Sequence, residues 1–203
     1  MTRSPTRRPR SRPSNGRRPG STPYPTRTRT RREAGRGGAV RLSAGLLPVC
    51  RRADGRLEVF LAHFGGPFWA GKEFGAWSIV KGEYDPATER PEEAARREWV
   101  EEIGAPVPKG RWHDLGTVRQ SAAKTVQAFA VLVSDPAEVV FVESNRTSVQ
   151  WPPGSGHFIE IPEMDRAQWW GLNAACERLV RAQGAYLDRV SSAAAEGFPA
   201  PGR

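Results

Sequence analysis

From residue 39 onward, apolar positions recur in short runs with the period of a strand. The first, AVRLSAGLLPVC over 39–50, ends at a basic turn, Arg51-Arg52-Ala53-Asp54-Gly55. The second, Leu57-Glu58-Val59-Phe60-Leu61-Ala62-His63, alternates apolar and polar side chains. Two such runs around Asp54-Gly55 predict a β-hairpin, because an Asp-Gly pair suits the backbone angles of a tight turn. A glycine-rich stretch over 65–75 then leads to a short strand over 77–80 and a loop over 82–90. Over 91–103 the pattern becomes helical. Pro91 suits the first turn, where its missing N–H costs nothing, Glu92 and Glu93 suit the positive end of the helix, and Gly104 suits its C-terminal cap. Further strands are expected over 114–119, 124–133, 139–143 and 157–161. A last helix is expected over 165–190, interrupted near Gly184, with Leu172, Cys176, Leu179 and Val180 at helical spacing. Strands alternating with two substantial helices predict an α/β fold, a mixed sheet covered by helices on both faces. The folded domain is expected over 39–190, followed by a flexible Ala/Gly/Pro-rich end over 191–203.

Charge divides the chain in two. The 203 residues carry a formal net charge of +9, yet residues 1–38 hold 12 arginines against one acid, Glu33, leaving 19 basic and 21 acidic residues beyond them. Residues 1–38 have too few apolar side chains to offset chain entropy, so a disordered basic tail is expected. No apolar segment follows its arginines, which excludes a secretory signal, and its prolines break the amphipathic helix of a transit peptide. The tail reads as an electrostatic tether for nucleic-acid phosphates, or as a solvated arm or translated upstream sequence. No apolar run approaches the ~18–20 residues that cross a bilayer. Cys50 and Cys176 both lie in apolar stretches; buried thiols of a cytoplasmic protein are the expectation.

The chemistry is concentrated in GEYDPATERPEEAARREWVEEIGA, residues 82–105. On a helix, Glu98, Glu101 and Glu102 stand at i, i+3 and i+4, so their carboxylates gather on one face, while Ala95, Trp99 and Ile103 mark an apolar face. Gathered carboxylates repel one another. A divalent cation reverses that sign, and oxygen donors suit Mg²⁺ or Mn²⁺ better than zinc. A solvated acidic face balanced by Arg96 and Arg97 is the plain alternative for an isolated Glu-x-x-Glu-Glu.

Here the pattern is not isolated. Arg97-Glu98-Trp99-Val100-Glu101-Glu102-Ile103-Gly104, with Glu89 seven residues before Arg97, resembles the Nudix box, in which a glycine, a glutamate and Arg-Glu-U-x-Glu-Glu-x-Gly-U follow at fixed spacing. One departure lies in the loop, where six residues rather than five separate Gly82 from Glu89; Ala105 is also smaller than the usual final apolar residue. The stretches GGPFWAGKEFGAWSIVKGEYDP, WPPGSG and PEMDRAQWW extend the resemblance, over about residues 41–190, to a bacterial subgroup of nucleoside triphosphate pyrophosphohydrolases. That group commonly has a proline where this chain has Val80.

The resemblance implies a Nudix-like α/β/α sandwich. It also implies metal-assisted hydrolysis of a phosphoanhydride in a nucleoside diphosphate-linked substrate. Glu98, Glu101 and Glu102 would ligate Mg²⁺ or Mn²⁺, with the Gly82 carbonyl as a further ligand. Catalysis would rest on Glu98 and Glu101, with Arg97 holding a glutamate in place and Glu89 supporting the loop. A base outside the box would come from Glu143, Glu160 or Glu163, among which the sequence does not choose. Lys81 and Lys72 are candidate phosphate contacts and Trp69 a candidate stacking surface for a base. Nucleoside triphosphates, dinucleoside polyphosphates, nucleotide sugars and 5′-phosphorylated RNA all fit this chemistry.

Rival readings fit the residues less well. Gly66-Pro67-Phe68-Trp69-Ala70-Gly71-Lys72 matches the first seven positions of a Walker A loop, but Glu73 stands where Ser or Thr is required and a strand follows instead of a helix. A non-catalytic Nudix-fold module that binds nucleotides or RNA through the basic tail would be marked by loss of a box glutamate, and none is lost. His63, His113 and His157 show no metal-ligand spacing.

Overall fold

The computed structural model describes residues 40–198; the expectations for residues 1–38 and for the last five residues lie outside them. The strand β1 (Arg41–Arg51) turns at Asp54-Gly55 into β2 (Leu57–Phe64), as the hairpin pattern predicts. Gly55 has φ of 84°, which a side chain would strain. The two strands pair only at Val49–Arg51 with Leu57–Val59 and then diverge. Into the gap come β3 (Trp77–Ser78), paired to β2, and β4 (Val80–Tyr84), paired to β1. The helix α1 (Pro91–Ile103) follows, with Pro91 in its first turn and Gly104 closing it at φ 71°.

The chain continues through β5 (Trp112–Ser121), β6 (Lys124–Val133), β7 (Arg146–Gln150), β8 (Phe158–Pro162) and β9 (Met164–Gly171) to the helices α2 (Leu172–Arg178) and α3 (Gly184–Glu196). β1 and β6 are parallel and the other pairs antiparallel, so the sheet is mixed. β7 and β8 form a separate two-stranded hairpin.

Helices cover both faces of the sheet. Ala94, Ala95, Trp99 and Ile103 of α1 pack on Ala44, Leu46, Val80, Phe129 and Val131. Tyr186, Leu187 and Val190 of α3 pack on Leu47, Val49, Trp77, Val126 and Ala128. This is the α/β architecture expected from the alternation of elements.

Two segments depart from expectation. Residues 139–143 form no strand; they run as an extended segment whose Val142 and Glu143 amides donate to the Ile103 carbonyl at the end of α1. The strand comes later, as β7. The helix expected from residue 165 begins only at Leu172, because Met164–Gly171 instead pairs along β2 as β9. Cross-strand packing of Trp169 on Phe60 and Trp170 on Trp77 outweighs local propensity there. The last helix starts at Gly184, where an interruption was expected, and runs to Glu196.

Candidate active site

Gly82 on β4 faces Glu98 on α1. A Cβ at position 82 would lie 1.7 Å from the Glu98 carboxyl carbon, so the bare glycine backbone makes room for the carboxylate. The extra loop residue is absorbed in a turn after Tyr84: the amides of Thr88 and Glu89 donate to the Asp85 carbonyl, and Ala87 N donates to Asp85 Oδ1. Both Gly82 and Glu89 therefore still meet the helix.

Arg97 gathers the acids. Its Nε and Nη2 donate to the two oxygens of Glu89 at 2.9 and 3.0 Å, a bidentate pair that fixes the guanidinium plane. Its Nη1 donates to Glu98 at 2.6 Å and to Glu101 at 3.2 Å, and Nη2 also reaches the Glu83 carbonyl. Hydrogen bonds to Glu89 and Glu98 hold Arg97 firmly in its charged form.

Burial makes this acidic cluster costly. Glu98 and Glu102 are 7% and 4% exposed. Burial pushes the Glu102 carboxyl up to about 8; Lys81 opposes this, while Glu98 and Glu163 reinforce it. Glu98 is raised for the same reason, with Arg97 opposing and Glu101 and Glu163 adding. The Lys81 amide donates to Glu102 at 2.9 Å, so this carboxylate is anchored to β4.

A second charged group escapes a sequence reading. Lys124 opens β6 opposite Arg41 of β1. Burial, reinforced by the charge of Lys81, lowers its ammonium to about 8. Glu83 offsets this in part, accepting from Lys124 at 3.5 Å and from Arg41 at 2.7 Å. Two largely buried lysines repelling each other beside buried carboxylates form a site prepared for added charge of both signs. The signal for Lys124 is the parallel β1–β6 register, a non-local fact.

The remaining candidates separate. Of the three acids proposed as a base, only Glu163 is felt electrostatically by both Glu98 and Glu102. Its amide donates to the Asn145 carbonyl, and the Asn145 amide donates to the carbonyl of Glu101. Glu143 packs against Gly104 at the end of α1, and Glu160 lies exposed on β8. Lys72 is exposed, with Nζ 3.5 Å from the centre of the Phe68 ring, and no ion pair draws it to the acidic cluster among the described residues. Trp69 is 9% exposed and packs against Phe64 at a tilt and Phe68 edge-on, at 5.0 and 4.8 Å between ring centres. The Walker-like loop makes a turn, with the Trp69 and Ala70 amides on the Gly66 carbonyl, and leads into β3. An open cleft of about 610 Å³ between Val139–Phe141 and Trp169 shares no residue with the acidic cluster.

The donors fit a hard divalent cation: three glutamates at one helix face and backbone oxygens near Gly82. As the side chains stand, no three His, Cys, Asp or Glu residues converge at ligand spacing among the described residues. Glu98 and Glu101 are turned to Arg97, and a bound cation would draw them from it.

Comparison with known proteins bears on the family and the fold. The family model described as NUDIX domain matches residues 40–190. A Caenorhabditis elegans Ap4A hydrolase, solved as a binary complex, shares the fold at TM-score 0.55 and 21% identity over 77% of this chain and 99% of that one. A mutT/nudix family protein from Listeria innocua matches at TM-score 0.52 and 19% identity, covering 79% of this chain and 97% of its own. RenU, a Nudix hydrolase from M. smegmatis, matches at 0.51 and 20%, covering 82% and 91%. No curated protein matches the chain.

Proposed function

The chain belongs to the Nudix family and is a Nudix-type pyrophosphohydrolase, and on that premise we propose that it hydrolyses a phosphoanhydride bond of a nucleoside triphosphate or dinucleoside polyphosphate with Mg²⁺ or Mn²⁺. The observation that carries this reading is the pair of buried glutamates, Glu98 and Glu102, set between the Arg97 clasp and the bare backbone of Gly82, with Lys81 and Lys124 alongside.

Glu98, Glu101 and Glu102 would hold the cation, with the Gly82 carbonyl completing the oxygen set. When bound, the cation neutralises charge on phosphoryl oxygens and acidifies coordinated water. Arg97 keeps Glu98 and Glu101 on the reacting face, and Glu89 keeps Arg97 there. Lys81 and Lys124 meet the polyphosphate, whose negative charge relieves their mutual repulsion, and Lys72 adds a contact from the loop rim. Glu163 takes the proton from water as the water oxygen bonds to phosphorus. The bridging P–O bond then breaks, and the leaving phosphate carries away the electron pair. A stacking role for Trp69 would require its ring to leave Phe68.

A non-catalytic Nudix-fold module would be marked by loss of a box glutamate, and every one of them is present. The arginines of residues 1–38 support at most a weak, salt-screened contact with nucleic-acid phosphates. No helix among the described residues is long and apolar enough to cross a membrane.

The decisive experiment measures release of phosphate or pyrophosphate from a nucleotide panel with Mg²⁺ or Mn²⁺, with and without EDTA. Glu101→Gln and Glu102→Gln are expected to lose on the order of 10²–10³ in kcat, the scale of removing one preorganised charge-stabilising group. Full activity in both variants would overturn the catalytic assignment. Turnover of no nucleotide by the wild type would favour the binding module.

A further inference from the structure

His63, on β2, is wholly buried and lies outside the box. Its Nδ1 is 2.7 Å from Asp165 Oδ1 and its Nε2 is 2.7 Å from the Lys72 carbonyl oxygen. A backbone carbonyl only accepts, so Nε2 donates to Lys72, and Nδ1 pairs with the Asp165 carboxyl. The ring thereby ties β2 to the loop over 65–76 and to the start of β9. Other charges close around it. Arg166 of β9 approaches Asp165 at 3.4 Å and binds Glu73 of the loop at 2.7 Å, Glu73 accepts from the Trp77 indole, and the Trp77 ring meets His63 edge-on at 5.1 Å.

Asp165 occupies a special position in the sheet. The β2–β9 register pairs Ala62 with Ala167 and His63 with Arg166, but Phe64 with Met164. Asp165 is therefore the extra residue of a β-bulge. Side chains alternate across a strand, so one extra residue reverses the face presented by those before it, and bulges re-aim side chains in this way. Glu163 lies just past the slip, its carbonyl fixed by the Gly65 amide. Its amide donates to the Asn145 carbonyl, and the Asn145 amide donates to the Glu101 carbonyl at the end of α1.

We propose that His63 is a positioning residue: it holds Asp165 in the bulge that aims Glu163 at the carboxylate cluster, and holds the loop over 65–76 by the Lys72 carbonyl. The inference rests on Glu163 as the proton acceptor. His63 touches no reacting atom, so its effect on turnover passes through Glu163.

The test is a double-mutant cycle on the full chain with the best nucleotide of the panel. Asp165→Asn and His63→Gln are each expected to lower kcat on the order of tenfold, the scale of misplacing a catalytic group. In a Glu163→Gln background the same changes are expected to cost less than about twofold, because the group they aim is already gone. If the two losses multiply in full, His63 does not act through Glu163 and the proposal falls. If Glu163→Gln alone keeps wild-type kcat, the base assignment falls and takes the proposal with it. Asp165, partly exposed at 30%, serves should His63→Gln fail to fold.

Discussion

On the α3 side of the sheet, Gln183 and Tyr186 are wholly buried, and each polar side-chain atom finds a neutral partner. Gln183 Oε1 accepts from the Ile79 amide at 3.0 Å, and Nε2 donates to Ser78 Oγ and Gln120 Oε1 at 3.0 and 3.1 Å. The Tyr186 hydroxyl donates to the Val126 carbonyl at 2.6 Å. On the α1 side, Glu98 and Glu102 are buried to a similar degree, but with charges that repel each other and with both carboxyls raised. Around Gln183 and Tyr186 the buried polar groups are neutral and paired, whereas Glu98 and Glu102 each accept a hydrogen bond but bring like charge into the interior. A fully matched neutral network makes the packing unique and stable, whereas buried like charges destabilise a fold and are characteristic of sites that bind a counter-charge.

That contrast makes separable predictions. The largest effect is expected for Gly82→Ala. The new methyl would displace the Glu98 carboxylate, which is the end of a flexible side chain and can swing toward solvent at little cost to the fold. Turnover should fall on the order of 10²-fold, as for an ångström-scale misplacement of a catalytic group, while the melting temperature changes little. A Gly82→Ala protein with wild-type kcat would show that the carboxylate does not need this cradle.

The opposite behaviour is expected for Gln183→Ala. Its removal leaves the buried Ile79 amide unpaired, a loss of about 1–3 kcal/mol for a buried unsatisfied group. Urea unfolding should show this while kcat, measured well below the midpoint, stays at the wild-type value. A larger loss of activity than of stability would mean that the neutral network reaches the site after all.

The α1 side was the more legible in sequence. Pro91, the paired first-turn glutamates and Gly104 act within one helix, so helix limits and the shared face of Glu98, Glu101 and Glu102 follow from local rules. The mixed sheet with helices on both faces also follows from element order. What local rules miss is set by pairing across the chain. Asp165 and Arg166 resemble a helix start until β2 is seen to pair with Arg166 and Met164 around a bulge at Asp165. Lys124 becomes a neighbour of Lys81 only through the parallel β1–β6 register, and Glu163 stands apart from Glu143 and Glu160 only once the β8–β9 corner is in place. Trp69 was offered to a nucleobase because exposure cannot be read from residue type, and the Phe64–Trp69–Phe68 contacts bury it.

The smallest effect, and the sharpest for the contrast between faces, concerns the pH dependence of stability without metal. The folded-state carboxyl of Glu102 is raised to about 8, above the ~4.3 of an unfolded glutamate. The folded protein therefore binds more protons than the unfolded chain between these values, and the stability this confers is full below ~4.3 and is lost as pH rises through about 8. Lys124 runs in the other sense: lowered to about 8 from ~10.4, it favours the folded state above ~10.4 and loses that contribution as pH falls through about 8. Glu102→Gln removes the first effect and leaves the second. In EDTA, the melting temperature of the variant relative to wild type should therefore rise between pH 6 and pH 9, by roughly 2–4 °C for each kcal/mol relieved. Saturating Mg²⁺ should reverse the order at pH 9, because the wild type gains ligand stabilisation through the same carboxylate. Gln183→Ala should show neither trend, since no charge on the α3 side is removed; a pH-dependent shift in that variant would break the distinction between the two faces.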